Sequence, residues 1–349
     1  MSEADAERYR LVAVIVFVAG SGSDSMQYSI DRRSVLLASL PFISGVAHAA
    51  KFLAGSSGLQ VLPSDTDGAI RTYNVPHFVY SPVGPPRNQL FVFLPGTGRS
   101  PPIAARFTTE ATTLGYHVVQ IAYDHGVHPR IPRNDSDPDA FARYRWAIIE
   151  GGSLPYLSAP ISRAESIENR VIKLLAYLDA HYPGQGWGQF LRSGAINWDK
   201  AVLGGHSQGG GHAAIMATRY RVARVICTGS PKDHSRVFNA PARWYANRMT
   251  PPQRFFAFNN THDRAGCTHD ELVENLKALG VAQVGGIANV DASSPPYGHA
   301  RVLFTSWPGP DAHVRSLDAH KSVIADDIPQ NGAALFSPVW RYMLSEPTG

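Results

Sequence analysis

The chain has 349 residues, of which 44% are hydrophobic and 17% are charged. This balance is ordinary for a globular protein and excludes a largely disordered chain. The net charge is +4 at pH 7, and the Lys and Arg residues are scattered rather than clustered, which argues against a nucleic-acid-binding protein. The length suits one large α/β domain or two small ones.

The N-terminal region has the order of an export signal. Residues 31–50, DRRSVLLASLPFISGVAHAA, contain two arginines, then a short apolar stretch, then small residues that end near Ala49. Arg32 and Arg33 resemble the start of a twin-arginine signal, and an ordinary secretory signal is the alternative. We therefore expect residues 1–49 to be an extension with a cleavable signal, residues 50–349 to be the folded domain, and the protein to be periplasmic or secreted.

A second apolar stretch lies further upstream. Residues 11–20, LVAVIVFVAG, are half the length that a membrane helix needs and are distant from the arginine pair. This position leaves open whether translation starts at Met1 or at Met26. No later segment is long and apolar enough to span a bilayer, so we expect no stable membrane insertion of the mature protein.

Strands and helices are predicted to alternate from about residue 68. Apolar runs bounded by turn residues predict buried strands, after two hairpin strands within 69–82, at 88–96, 116–124, 200–205, 223–229, 254–260 and 300–307. Periodic apolar positions predict helices at 162–181, 208–220, 270–280 and 337–344. Ser162 and Glu165 have the spacing of a capping box for the first of these helices. The alternation predicts an α/β fold with a doubly wound, mostly parallel sheet flanked by helices.

Two stretches do not fit this alternation. Residues 125–160 are polar, rich in proline and too long for a simple connection, and residues 183–190 are rich in glycine and tryptophan. Long irregular insertions beside a sheet are often functional. We therefore expect 125–160 to be an irregular insertion, with a lid over a binding site as one interpretation.

One glycine cluster has a specific chemical meaning. Gly205-His206-Ser207-Gln208-Gly209 matches the pattern Gly-x-Ser-x-Gly and lies between a predicted buried strand and a predicted helix. A phosphate-binding loop would need a lysine before the serine at its end, and this stretch has no lysine. A dinucleotide-binding loop would need a glycine spacing that this stretch does not have. A sharp turn that exposes Ser207 would bring neighbouring backbone too close for side chains at Gly205 and Gly209.

With this motif in its strand–turn–helix context, residues 68–345 resemble the α/β-hydrolases. The resemblance implies an oxyanion hole formed by the backbone N–H groups of Thr97, in the turn LPGTGRSPP at 94–102, and of Gln208. It also implies a serine nucleophile that requires no cofactor. We expect no metal site.

The resemblance further implies an acid and a histidine after later strands. Asp263 follows the run RFFAFNN and is the preferred acid, with Asp233 after the preceding strand as the alternative. His320 leads toward the C-terminal helix and is the preferred base, with His313 as the alternative. The order Ser207, Asp263, His320 is the order along the chain that this fold uses.

These residues together predict an exported serine hydrolase that cleaves carboxylic esters through an acyl-enzyme. The substrate would be a small-molecule or polymeric ester, and the sequence says nothing of the oligomeric state. An acyltransferase, an amidase or a polyester depolymerase on the same fold is an alternative, and so is a binding protein without catalytic activity. Cys227 and Cys267 lie near the ends of neighbouring predicted strands and could form a disulfide or remain separate buried thiols.

Overall fold

The computed structural model describes residues 58–126, 128–325, 329–330 and 333–348. The expected export signal and both candidate start residues lie outside these ranges. In the described part of the chain, the central sheet has nine strands: β1 (Leu59–Val61), β2 (His77–Tyr80), β3 (Leu90–Leu94), β4 (His117–Gln120), β5 (Ala201–His206), β6 (Arg224–Thr228), β7 (Phe255–Asn260), β8 (Ile287–Asn289) and β9 (Val302–Thr305).

The strands lie in the order β1-β2-β4-β3-β5-β6-β7-β9-β8. β2 pairs antiparallel with both β1 and β4, and every other pair in this sheet is parallel. The carboxyl ends of β3, β5, β6, β7 and β9 therefore meet at one edge of the sheet. In open α/β sheets this edge is where ligands bind.

The α-helices of the described chain are α1 (Pro63–Thr66), α2 (Ala105–Thr113), α3 (Arg130–Arg133), α4 (Ala140–Glu150), α5 (Ile167–His181), α6 (Gln208–Arg219), α7 (His269–Ala278), α8 (Ser316–Ser322) and α9 (Ser337–Ser345). The described chain also has three short hairpins, in which each strand has two residues: Leu191–Arg192 with Ala195–Ile196, His234–Ser235 with Ala240–Pro241, and Pro329–Gln330 with Ala333–Ala334.

The sheet has a hydrophobic core on each face. Successive side chains of β3 point to opposite faces, so Leu90 and Val92 join the cluster that includes helices α4 to α7. Phe91 and Phe93 join a second cluster on the other face. In this cluster Phe107 of α2 stacks on Trp340 of α9, with the ring centroids 5.6 Å apart. Because strands covered on both faces are typically apolar, β3 is hydrophobic throughout, and β7 is hydrophobic up to Asn259 and Asn260.

The predicted fold class is confirmed: a mostly parallel sheet with helices on both faces. Each of the six predicted central strands is present, and so are the helices predicted at 208–220, 270–280 and 337–344. No helix in the described ranges combines the length and the apolar character needed to cross a membrane.

Several local predictions differ from the structure. The predicted capping box is wrong, because helix α5 starts at Ile167 with Ser166 as its N-cap. The Glu165 carboxylate instead accepts hydrogen bonds from the backbone N–H groups of Arg71 and Thr72 and pairs with Arg170. Only one of the two strands expected in 69–82 lies there, since β1 precedes that range.

The segment 125–160 is not irregular throughout. Its middle third is helix α4, whose Tyr144, Ile148 and Ile149 are buried in the core. The rest of the segment has short turns, the one-turn helix α3 and an isolated bridge between Gly152 and Ile161. About a third of the segment, helix α4, thus belongs to the folded core, and a lid function for the remainder stays a prediction.

Candidate active site

Ser207 occupies the turn between the central strand β5 and helix α6. Its backbone has φ 56° and ψ −117°, a conformation that side-chain-bearing residues rarely adopt. The Ser207 N–H donates to the carbonyl oxygen of Thr228, in the neighbouring strand, at 2.9 Å. This turn holds a partly exposed serine at the carboxyl edge of the sheet.

The glycines on either side of Ser207 are required by close backbone packing. A Cβ added to Gly205 would lie 2.5 Å from the Leu94 carbonyl oxygen and 2.6 Å from the carbonyl carbon of Gly209. A Cβ on Gly209 would overlap the same Leu94 carbonyl and lie 2.6 Å from the Pro95 oxygen. Neither position has room for a side chain, as the sequence motif predicts.

Asp263 and His320 lie together at the same edge. Asp263 follows β7, and His320 lies in α8, the helix after β9. His320 Nδ1 donates to Asp263 Oδ2 at 2.7 Å, and the other carboxylate oxygen accepts from the Ala265 N–H at 2.8 Å. Both side chains are buried. With its Nδ1 proton directed at the carboxylate, the imidazole keeps Nε2 as the proton acceptor.

Lys232 is a third partner of this pair, and it was not predicted from the sequence. Its ammonium donates to Asp263 Oδ2 and, at 2.8 Å, to the Ala265 carbonyl oxygen. The same nitrogen lies 3.2 Å from His320 Nδ1. A lysine four positions beyond the end of strand β6 carries no sequence pattern that distinguishes it from an ordinary surface lysine.

These contacts shift the acidity of both groups. Burial would raise the pKa of Asp263, but the hydrogen bond from His320 and the charge of Lys232 lower it to about 2. Burial lowers the pKa of His320 and the nearby Lys232 charge lowers it further, against the opposing effect of Asp263. The expected state near neutral pH is an ionised carboxylate beside a neutral imidazole.

The two alternative residues are placed differently. Asp233 is buried and receives two hydrogen bonds from Arg145, at 2.5 and 2.6 Å, and one from Trp244 Nε1 at 2.9 Å. His313 is exposed and lies outside α8. The structure therefore brings Asp263 and His320 into contact, and it pairs Asp233 with Arg145 instead.

His206 links the turn that holds Ser207 to His320. Its Nε2 donates to the backbone carbonyl of His320 at 2.9 Å, and the two rings have centroids 4.4 Å apart. Burial, followed by the neighbouring His320, holds the pKa of His206 well below its ordinary range. His206 thus stays neutral and fixes the backbone of His320. Because Ser207 follows His206 in the sequence, this hydrogen bond connects the segments that carry Ser207 and His320.

The turn after β3 lies directly against Ser207. A Cβ added to Gly96 would lie 2.9 Å from Ser207 Cβ. Next to it, Thr97 Oγ1 donates to Gln208 Oε1 at 3.0 Å, and Gln208 Nε2 donates to the Tyr144 hydroxyl at 2.5 Å. Gln208 is the first residue of α6, where the helix dipole is positive. The two residues predicted to supply oxyanion donors are therefore neighbours beside Ser207.

A hydrogen-bonded chain fixes this turn from the other side. His125 Nδ1 accepts from the Gly98 N–H at 3.1 Å, and its Nε2 donates to the Tyr73 hydroxyl at 2.5 Å. That hydroxyl lies 2.6 Å from Ser100 Oγ. The turn is thereby anchored at two points, which restricts its movement relative to Ser207.

The disulfide allowed by the sequence is not formed. Cys227 and Cys267 are free and buried. Cys227 Sγ lies against helix α6, 3.5 Å from the Gly210 carbonyl oxygen, so its thiol is engaged on one face of the sheet. Burial raises the pKa of each thiol to about 12.

No three His, Cys, Asp or Glu side chains gather into a potential metal site within the described ranges.

Comparison with known proteins gave no match to a family model and none to a curated protein sequence. Solved structures do resemble the chain. An α/β serine hydrolase homologue from Coxiella burnetii is 13% identical, with 78% of this chain and 98% of that chain covered and a TM-score of 0.38.

Two enzymes also match. A thermophilic esterase from Thermogutta terrifontis is 14% identical over 71% of this chain and 81% of its own, with a TM-score of 0.35. An S-formylglutathione hydrolase from Agrobacterium tumefaciens is 14% identical over 67% of this chain and 85% of its own, with a TM-score of 0.39. At these identities and TM-scores the likeness assigns neither a fold family nor an activity to this chain.

Proposed function

We propose that this protein is a serine hydrolase that cleaves carboxylic esters through an acyl-enzyme. The observation that supports the proposal most strongly is the 2.7 Å hydrogen bond between His320 and Asp263 at the sheet edge where the strained turn holds Ser207. A nucleophile, a base and an orienting acid are the three parts that this chemistry needs.

Each residue has one role in the proposed cycle. Ser207 Oγ attacks the ester carbonyl while His320 Nε2 takes its proton, and Asp263 stabilises the imidazolium that forms. The imidazolium then protonates the departing alcohol, and the acyl group remains on Ser207. Water attacks the acyl-enzyme with His320 again acting as base, which releases the carboxylic acid and restores the serine.

The oxyanion formed in both steps needs donors at fixed positions. We assign them to the N–H groups of Thr97 and Gln208, because the turn after β3 lies against Ser207 and α6 directs its positive end toward the same place. The anchoring of the turn by His125 supports this assignment, since preorganised donors need no rearrangement during reaction.

The test is hydrolysis of p-nitrophenyl acetate by the wild-type protein and by Ser207→Ala. Loss of the nucleophile should reduce kcat by about 10⁶-fold, leaving only the contribution of binding and the oxyanion donors. Ser230→Ala is the matched control, because Ser230 follows the neighbouring strand but is fully buried. Equal turnover by the wild type and Ser207→Ala would refute the proposal.

The same assay, run with other acyl chains and acceptors, separates the related activities. A p-nitrophenyl series from acetate to palmitate distinguishes an esterase from a lipase, and an added alcohol that increases p-nitrophenol release would indicate an acyltransferase. An anilide of the best acyl group tests amidase activity, and a solid polyester film tests depolymerase activity.

We also propose that the protein is exported, which rests on the sequence of residues 31–50 alone. The test is a fusion of residues 1–60 to a reporter that is active only outside the cytoplasm. Replacing both Arg32 and Arg33 by lysine should block export if the twin-arginine route is used, and should have little effect if the general secretory route is used. A reporter retained in the cytoplasm with both arginines intact would contradict export.

A further inference from the structure

The Lys232 ammonium is unusually placed for a surface residue. Its side chain is only 11% exposed, and the Asp263 side chain that it contacts is 1% exposed. Within the described ranges, the ammonium makes polar contacts with the base–acid pair and the backbone beside it: Asp263 Oδ2, the Ala265 carbonyl and His320 Nδ1. It is therefore directed at the base–acid pair.

Lys232 and His320 share one acceptor. His320 Nδ1 and the ammonium both approach Asp263 Oδ2, and the two nitrogens lie 3.2 Å apart. If His320 is neutral, its single Nδ1 proton and the lysine can both donate to this oxygen. If His320 becomes an imidazolium, two cations lie within 4 Å of each other and share one carboxylate, which is unfavourable at low dielectric.

We propose that Lys232 is a positioning residue for the proposed hydrolase: it fixes the Asp263 carboxylate and opposes protonation of His320, so that the base stays neutral into acidic solution. The backbone of Lys232 is itself held, because Arg133 Nη2 donates to its carbonyl oxygen at 3.0 Å. The lysine can therefore keep its position when the histidine changes charge.

Other charged groups near His320 do not replace this effect. His206 is held neutral by burial, as its lowered pKa shows. Lys321 is adjacent in sequence and makes the smallest contribution of those that lower the pKa of His320. Arg264 donates to the carbonyl oxygens of Thr261 and Asp263, and Arg315 is paired with Asp318 on the surface of α8.

The first experiment measures the titration of His320 directly, by NMR of histidine side chains in the full-length protein, with His320→Gln used for assignment. The wild-type midpoint should lie below the ordinary value of about 6.5. In Lys232→Met the midpoint should rise by about one pH unit, because a like charge is removed and the negative charge of Asp263 is no longer neutralised. Lys232→Arg, which keeps the charge, should stay near the wild type.

A control variant separates contact from net charge. Lys321→Met removes the same charge from the residue next to His320, and it should move the midpoint much less than Lys232→Met. Equal shifts in the two variants would overturn the proposal, and so would an unchanged midpoint in Lys232→Met. If Lys232→Met does not fold, Lys232→Gln takes its place, and a wild-type midpoint at or above the ordinary value overturns the proposal without any variant.

The second experiment follows the proposed activity. The acid limb of kcat/KM against pH reports the pKa of the base in the free enzyme. It should move to higher pH in Lys232→Met by the same amount as the NMR midpoint, so that kcat/KM on the acid side falls about tenfold while the plateau changes less. If the lysine only stabilised the fold, Lys232→Met would lower the unfolding temperature and leave this limb in place.

The two experiments fail in different ways. A wild-type protein that hydrolyses no ester refutes the proposed function, and the NMR titration still decides whether Lys232 acts on His320. An active wild type whose Lys232→Met variant keeps its acid limb refutes the role of Lys232 alone.

Discussion

Two buried carboxylates follow adjacent strands of the sheet, and their surroundings differ in one respect. Asp233 follows β6 and Asp263 follows β7, and each contacts a basic side chain. Arg145 donates one hydrogen bond to each carboxylate oxygen of Asp233, and Trp244 Nε1 donates to one of the same two oxygens. In Asp263, by contrast, a single carboxylate oxygen accepts hydrogen bonds from both His320 and Lys232.

The difference shows why burial and charge alone do not identify a catalytic acid. Asp233 is fully engaged by a guanidinium that also donates to the Gln208 carbonyl at 3.0 Å, so this pair fixes the start of α6. Asp263 has a proton-carrying partner whose second nitrogen remains available for chemistry. In the proposed mechanism, the ion pair of Asp233 supports the site, and that of Asp263 is part of it.

The largest expected effect is on turnover. Asp263→Asn should reduce kcat about 10⁴-fold with the fold retained, because the amide no longer stabilises the imidazolium or its tautomer. Kinetics with p-nitrophenyl acetate and a circular dichroism spectrum check this. The matched variant Asp233→Asn should lose far less activity per correctly folded molecule, and the reverse ranking would exchange the roles of the two carboxylates.

Asp233→Asn should instead reduce stability. It leaves the Arg145 guanidinium buried without a charge partner, and breaking such a pair costs about 3–5 kcal/mol. Urea unfolding measures the loss. The double variant Arg145→Met/Asp233→Asn should lose less than the sum of the two single variants, since neither charge is then left alone. Additive losses would show that the pair is not coupled.

Acid should reveal the stability that Asp263 contributes. Its folded pKa of about 2 lies below the ordinary 3.8, so the stabilisation is complete above pH 4 and is lost as the pH falls toward 2. The wild type should lose about 2 kcal/mol more than Asp263→Asn across this interval. Urea unfolding at several pH values measures it, and parallel curves for the two proteins would contradict the ion-pair account.

The smallest expected effect concerns the second histidine. His313→Ala should leave kcat/KM and the free energy of unfolding nearly unchanged, within about 0.5 kcal/mol, because the side chain is exposed and outside α8. His320→Ala is the paired variant and should abolish turnover. Loss of activity in His313→Ala would mean that the site rearranges when substrate binds.

The sequence predicted the parts of the molecule that depend on local pattern. Buried parallel strands are continuous apolar runs, and the turn at Ser207 needs glycines at fixed spacing, so both were recognisable. Strand β8 was missed because it lies at an edge and two of its three side chains are exposed. Edge strands lack the apolar run that marks central ones.

The parts that were missed depend on contacts between distant segments. Lys232 and His206 act on His320 from the ends of other strands, and nothing in their own neighbourhoods indicates this. The same holds for Glu165, which was predicted to cap a helix but is engaged by backbone about 90 residues away in sequence. A local sequence pattern cannot show that a distant segment of backbone binds the same side chain.

The most direct test of the account is covalent labelling of the wild-type protein with a fluorophosphonate probe, followed by peptide mapping. The account predicts one adduct, on Ser207, that is absent in Ser207→Ala and greatly slowed in His320→Ala and Asp263→Asn. Absence of labelling in the folded wild type, or an adduct on another residue, would contradict it.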